Sequence, residues 1–263
     1  MPYTNSNGIK LFYEQRGEGA PVVLIGGLGS QIESWATQVP IYKDHFRVVM
    51  FDNRGSGRSD KPGESYTIED MADDTIGLLD NLGIGSASFV GKSMGGMISQ
   101  WIAIKYPDRV EKVVIGCTSG SRDDVGNEIL RTGREVASKV GMKAVWFTAL
   151  LLGYTRDYIE NNYSSINQAM NLIPESDEDI AGYIGQSLAC EGHNIEHLLH
   201  KINAPTLILM GDNDQIVSPG KTRKLAELIP NSRLEIFDSV GHGFWRERQE
   251  EVDRIVLDFL LRD

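Results

Sequence analysis

The chain has 263 residues and a formal charge of −11, from 26 Lys and Arg against 37 Asp and Glu. That length can bury a core without disulfides or a structural metal, and the acidic balance argues against nucleic acid and anionic membrane surfaces, which reward clustered Lys and Arg. Met1 to Gly8 has neither a basic start nor a signal-peptide-like apolar stretch, and no later run approaches a membrane span. Cys117 and Cys190 lie far apart in apolar or small-residue company. The expectation is a cytoplasmic enzyme or binding protein with two reduced thiols.

Ile9 to Gln15 alternates as a half-buried strand does, and Pro21 to Ile25 reads as a fully buried one ending at the loop Gly26-Gly27-Leu28-Gly29-Ser30. Ile32 to Tyr42 is weakly helical, and Arg47 to Phe51 is the next buried strand. The loop Asp52 to Ser59 follows, and its charges are expected to pair with each other. Thr67-x-x-Asp70 resembles a capping box, opening a helix that runs through Met71, Ile76, Leu79 and Leu82 to Gly83. Ala87 to Val90 is strand-like, Met97 to Tyr106 is helical until Pro107 breaks it, and Val113 to Ile115 is one more strand, closing at Gly116. Such alternation predicts a mostly parallel sheet with helices on both faces.

Residues 121–202 break the rhythm. Met142, Val145, Trp146, Ala149 and Leu150 follow helical spacing, as do Ile180, Tyr183, Ile184 and Leu188 after a cap at Ser176. The sheet pattern then returns with Pro205 to Met210, a helix from Pro219 to Leu228, a strand from Arg233 to Phe237 and a last helix from Gln249 to Leu261. We therefore expect an α/β core over 1–120 and 203–263, with 121–202 as an all-helical cap. Both junctions of the insertion fall at the sheet edge that carries Ser93.

That serine lies in Gly91-Lys92-Ser93-Met94-Gly95-Gly96, a G-x-S-x-G pattern between a strand and a helix. A turn this sharp needs glycine two residues to either side and leaves the hydroxyl exposed at the strand's end. Gly85 to Ser93 nearly spells a phosphate-binding loop, but it has one residue too many before Gly-Lys, and Phe89 and Val90 belong to the strand.

A serine nucleophile needs an imidazole to take its proton and a carboxylate to hold the imidazole. His242, between two glycines after the final strand, and Asp214, after the preceding strand, supply them in the order this architecture uses. Asp212 competes with Asp214 but reads as a turn residue, and Asp123 or Asp124 are lesser alternatives. Met94 N–H and Leu28 N–H are the expected oxyanion donors. Gly27, Trp35, Val217 and Phe244 are expected around the substrate pocket, with Trp146, Phe147, Leu151 and Tyr154 reaching in from the insertion. His193-Asn194-Ile195-Glu196-His197 matches a zinc pattern by letter, with His200 following, but it is read as a polar face of the insertion's last helix, without a third ligand. No metal and no cofactor are expected.

Together these residues resemble the α/β-hydrolase superfamily, specifically at Gly91 to Gly95, Asp52 to Ser59, Gly211 to Asp214 and Gly241-His242. Within it the chain is similar to small capped esterases and lactonases such as 3-oxoadipate enol-lactonases and anthracycline methylesterase-like proteins. Two positions depart from the family: Gly26-Gly27 stands where His-Gly is frequent, and Lys92 replaces the usual His, Leu, Phe or Asn. The resemblance implies a cofactor-free serine hydrolase of a small or medium ester or lactone, with homodimerisation left open. The rivals are a carbon–carbon bond hydrolase, which lacks its common Asn here, a perhydrolase or cofactor-free haloperoxidase, and a non-catalytic ligand receptor.

Overall fold

Runs of Val, Ile and Leu that are apolar on both faces can be satisfied only in the middle of a covered sheet. In the computed structural model, which describes residues 3–262, they form that middle. The strands are β1 (Tyr3–Ser6), β2 (Ile9–Arg16), β3 (Pro21–Ile25), β4 (Arg47–Phe51), β5 (Ala87–Lys92), β6 (Val110–Gly116), β7 (Thr206–Gly211) and β8 (Ser232–Phe237). They lie in the order β1-β2-β4-β3-β5-β6-β7-β8. The pairs β1–β2 and β2–β4 are antiparallel, and all the others are parallel.

The helices are α1 (Val39–Tyr42), α2 (Ile68–Asn81), α3 (Met94–Lys105), α4 (Asp124–Lys139), α5 (Met142–Gly153), α6 (Arg156–Met170), α7 (Asp177–Glu191), α8 (Pro219–Leu228), α9 (Phe244–Glu247) and α10 (Gln249–Leu261). Successive strand residues face opposite ways. Val23 and Ile25 thus join Met71 of α2 and Ile98 of α3 in one core, while Val22 and Leu24 join Tyr42 of α1 and Val256 of α10 in the other.

Local chemistry fixes the helix starts. Thr67 and Asp70 form the expected capping box on α2, with Asp70 N–H donating to Thr67 Oγ1 at 3.1 Å. Ser176 and Asp179 do the same for α7.

Several expectations need correction. β1 was not foreseen, because Tyr3-Thr4-Asn5-Ser6 is a short polar edge strand without an apolar run. The stretch 32–42 splits into a 3-10 turn, Ile32–Trp35, and α1. α3 begins directly after Ser93, three residues earlier than periodicity suggests. In the loop after β4, Arg58 pairs with Asp52 at 2.9 Å as expected, but Arg54 pairs with Asp74 of α2 at 2.5 Å and so ties the loop to that helix. His193, His197 and His200 do not share a helix face: α7 stops at Glu191, and Glu196–Lys201 is a 3-10 turn.

Between the neighbouring strands β6 and β7, α4 to α7 form a helical insertion whose two ends meet at a bridge between Ser121 and Asn194. It lies on the carboxyl edge of the sheet. Gly29 N–H donates to Gln186 Oε1 of α7 at 2.7 Å, and Gln186 Nε2 donates to Arg54 O at 2.7 Å. On the other side, Gly243 N–H donates to Gly153 O of α5 at 2.8 Å.

Candidate active site

Ser93 joins β5 to α3 with φ 54° and ψ −115°, a left-handed backbone that a side chain rarely adopts. The flanking glycines make it possible. A Cβ on Gly91 would come within 2.3 Å of Gly95 O, and one on Gly95 within 2.1 Å of Ile25 O, so only hydrogen fits at either position. Ser93 does not use its side chain to cap α3, which leaves the hydroxyl free for other work. Met94 opens α3, and the first N–H of a helix has no acceptor inside it; the Met94 side chain itself is buried in the core. The loop carrying Leu28 packs directly against this turn, since a Cβ on Gly27 would sit 3.3 Å from Ser93 Cβ.

Asp214 is buried after β7, and its Oδ1 accepts the N–H groups of Ile216 at 2.8 Å and Val217 at 2.9 Å. With one oxygen so fixed, Oδ2 accepts from His242 Nδ1 at 2.8 Å, so Nε2 is the ring nitrogen that Asp214 does not engage. The rival acids are engaged elsewhere: Asp212 accepts from Ser239 N–H at 2.7 Å, and Asp123 caps α4 through Gly126 N–H. Burial works against the His242 imidazolium, but the Asp214 charge and hydrogen bond outweigh it, with the Cys117 thiol adding to them. The ring is therefore held well above the ordinary histidine value.

The pocket residues separate into two groups. Trp35 and Phe244 are core residues, 1% and 0% exposed, which corrects their expected place in the pocket. Trp35 packs edge-on against Trp245, and Phe244 stacks on Phe237, so neither ring is left for a ligand. Val217 is also buried and serves Asp214 through its N–H. On α5, Phe147 is half-buried and Leu151 is 60% exposed. Trp146 lines a narrow pocket with Gly29, Ile173 and Tyr183. Leu151 and Tyr154 line another, of about 100 Å³, with Asn213 and Gly241. Neither pocket is lined by Ser93 or His242.

His193 is buried, and burial followed by the Arg122 charge holds it at about 3, so its ring is neutral. Among the described residues no group of three or more His, Cys, Asp or Glu is placed to hold a metal, and no helix is long and apolar enough to cross a membrane. Sequence reasoning missed two residues here, Gly153 and Cys117, and left Lys92 unexplained. Gly153 brings α5 up to His242, where an added Cβ would lie 3.4 Å from His242 Cβ. Cys117, with φ 46°, stands beside the imidazole; its position straight after a strand-ending glycine was the available signal. Lys92 was noticed as unusual, without any indication of what surrounds it.

The family model of the alpha/beta hydrolase fold matches residues 20–139 and 128–245. 3-Oxoadipate enol-lactonase 2 of Acinetobacter baylyi is 27% identical over 218 residues, covering 83% of this chain and 80% of its own. RutD of Caulobacter sp. (strain K31), provisionally named a carbamate hydrolase, is 30% identical over 261 residues, 95% of either chain. The crystal structure of the enol-lactonase from Burkholderia xenovorans LB400 superposes with a TM-score of 0.92 at 30% identity, over 99% of this chain and 100% of that one. Likeness of this extent, in sequence and in backbone, covers the sheet, the insertion and the serine turn alike: the chain belongs to the α/β-hydrolase fold family.

Proposed function

We propose that the protein is a serine hydrolase of small or medium carboxylic esters or lactones, acting through an acyl-enzyme on Ser93. Ser93 Oγ attacks the carbonyl carbon while its proton passes to His242 Nε2, and Asp214 stabilises the imidazolium through Nδ1–H. The N–H groups of Leu28 and Met94 receive the oxyanion, helped by the positive end of α3. As the intermediate collapses, His242 returns the proton to the departing alkoxide oxygen. Water, deprotonated by the same imidazole, then attacks the acyl carbon and frees Ser93.

The observation that carries this reading is the backbone of Ser93, held at φ 54° by two glycines that meet main-chain oxygens. Such strain is maintained where a side chain must be presented, and a hydrogen-bonded His–Asp pair stands at the same sheet edge. The two enol-lactonases among the relatives support the lactone class. In this reading the insertion, with Gly153 against His242 and Trp146 beside the Leu28 loop, is the cap that selects the substrate.

The test is Ser93→Ala assayed on p-nitrophenyl acetate and a lactone panel. Turnover should fall by about a million-fold with the thermal midpoint close to wild type. Retention of most turnover would sink the assignment.

A further inference from the structure

Lys92 occupies a surrounding that a core position does not require. Its ammonium lies 3.7 Å from the centre of the Trp35 ring and 4.8 Å from that of Trp245, and it donates one hydrogen bond, to Gln38 Oε1 at 3.2 Å. The rings stand nearly perpendicular, at 83° with centres 5.9 Å apart. Both indoles are buried, and among the described residues neither indole N–H has a hydrogen-bond partner. No polar bond at their edges therefore orients the two rings, and a charged group lies over their faces. The backbone makes room for this arrangement: a Cβ on Gly116 would come within 2.7 Å of Trp245 Nε1.

The place of each ring gives the arrangement a use. Trp35 ends the 3-10 turn that follows the Leu28 loop, Trp245 is three residues beyond His242, and Lys92 immediately precedes Ser93. One ammonium thus links the segment of the nucleophile to two others, the turn after the Leu28 loop and the turn after His242. Lys92 is partly buried; withdrawing an ammonium from water with a single hydrogen bond is unfavourable, and an apolar side chain of similar volume would suit the position better.

We propose that Lys92 is a positioning residue, whose charged ammonium between the faces of Trp35 and Trp245 holds the Leu28 loop and the His242 turn at their working distances from Ser93. The inference rests on the roles assigned above to Ser93, Asp214 and His242.

The grip depends on the proton. Burial brings Lys92 down to about 7, with Cys117 and Asp253 pulling up against it and Arg246 adding to the fall. The indole faces themselves favour the charged form. Of the groups around it, Gln38 is neutral, and Asp253 on α10 is held by Tyr42 Oη of α1 at 3.1 Å. The ammonium is charged below its titration point and neutral above it, so the grip is lost as pH rises. Loss of the grip is then expected to add an alkaline fall to the pH profile of kcat, a fall that depends on the Lys92 charge.

The experiment compares wild type, Lys92→Met and Ser93→Ala on p-nitrophenyl acetate across pH, with the melting temperature measured for each. Methionine keeps the length of the side chain and removes the charge. Lys92→Met should melt at the wild-type temperature or above, lose about ten- to a hundredfold in kcat with little change in KM, and show no alkaline fall. Wild-type kcat, an alkaline fall that persists, or a kcat loss accompanied by a drop in melting temperature would each overturn the inference, the last by assigning Lys92 a structural role only. Should Lys92→Met fail to fold, Trp245→Phe decides: a weaker ring face moves the alkaline fall to lower pH, and an unmoved fall overturns the inference. Turnover that survives Ser93→Ala overturns the underlying reading instead, so the two failures are told apart.

Discussion

Of the twelve residues of α3, nine are buried, whereas none of the fifteen of α6 is. Around Ser93 the contacts are main chain against main chain, with no room for a methyl group on Gly91 or Gly95. In the insertion, Val140, Leu151 and Leu172 are 73%, 60% and 82% exposed. The first region has one geometry because its backbone admits no other. The second meets the core at a few close main-chain points, Gly182 against Gly55 and Gly153 against Gly241, and between them leaves large apolar side chains at its outer surface. For the hydrolase proposed above, this difference would suit rigid placement of the reacting groups beneath a replaceable wall.

The largest effect after loss of the serine itself is expected at the rigid edge. Asp214→Asn should lower kcat on p-nitrophenyl acetate by about ten-thousandfold, while Asp212→Asn, whose carboxylate serves the Ser239 turn, should stay close to wild type. The opposite ranking would give the role to Asp212 instead. Next comes Gly95→Ala, whose methyl group meets Ile25 O. It should destabilise the fold by about 3 kcal/mol, and a urea melt with an unshifted midpoint would contradict the close contact.

Substitution in the wall should act on choice of substrate instead. Trp146→Ala and Tyr154→Ala should re-rank esters and lactones of different acyl size by about ten- to two-hundredfold, with acetyl esters least affected. Equal scaling of every substrate would show that these rings only pack. The smallest changes belong to the outer surface: Leu172→Ser and Val140→Ser should alter stability by no more than about 0.5 kcal/mol and leave substrate ranking alone. Acidity sharpens the comparison from the other side. Because Asp214 holds His242 well above the ordinary histidine value, turnover should rise with pH through a midpoint above about 6.5. A midpoint below that would mean the pair is weaker than its 2.8 Å bond implies.

The same contrast decides what could be read from the sequence. The glycines around Ser93, the glycine pair around His242 and the strand runs carry their meaning locally, in turn geometry and in burial on both faces. The sheet and the Asp214–His242 pairing were therefore legible before any coordinates. Trp35 and Phe244 were not. An aromatic residue next to a loop looks the same whether its ring faces a cleft or a neighbouring ring, and Trp245 and Phe237, the partners that decide the matter, lie far away in sequence or across a turn. The histidines at 193, 197 and 200 misled for a related reason: letter spacing implies a common face only while the helix continues, and α7 ends two residues before His193. Lys92 shows the remaining limit. Its oddity was visible in the motif, but its two indole partners come from segments brought together only by the folded sheet.

The central claim is that the acyl group is carried by Ser93, and trapping that intermediate tests it most directly. Protein treated with a fluorophosphonate, or quenched in acid during p-nitrophenyl acetate turnover, should gain one adduct by intact-mass spectrometry. Peptide mapping should place that adduct on Ser93, and Ser93→Ala should remain unlabelled. An adduct on another side chain, Cys117 beside the imidazole being the nearest rival, or turnover with no adduct on Ser93, would contradict the account.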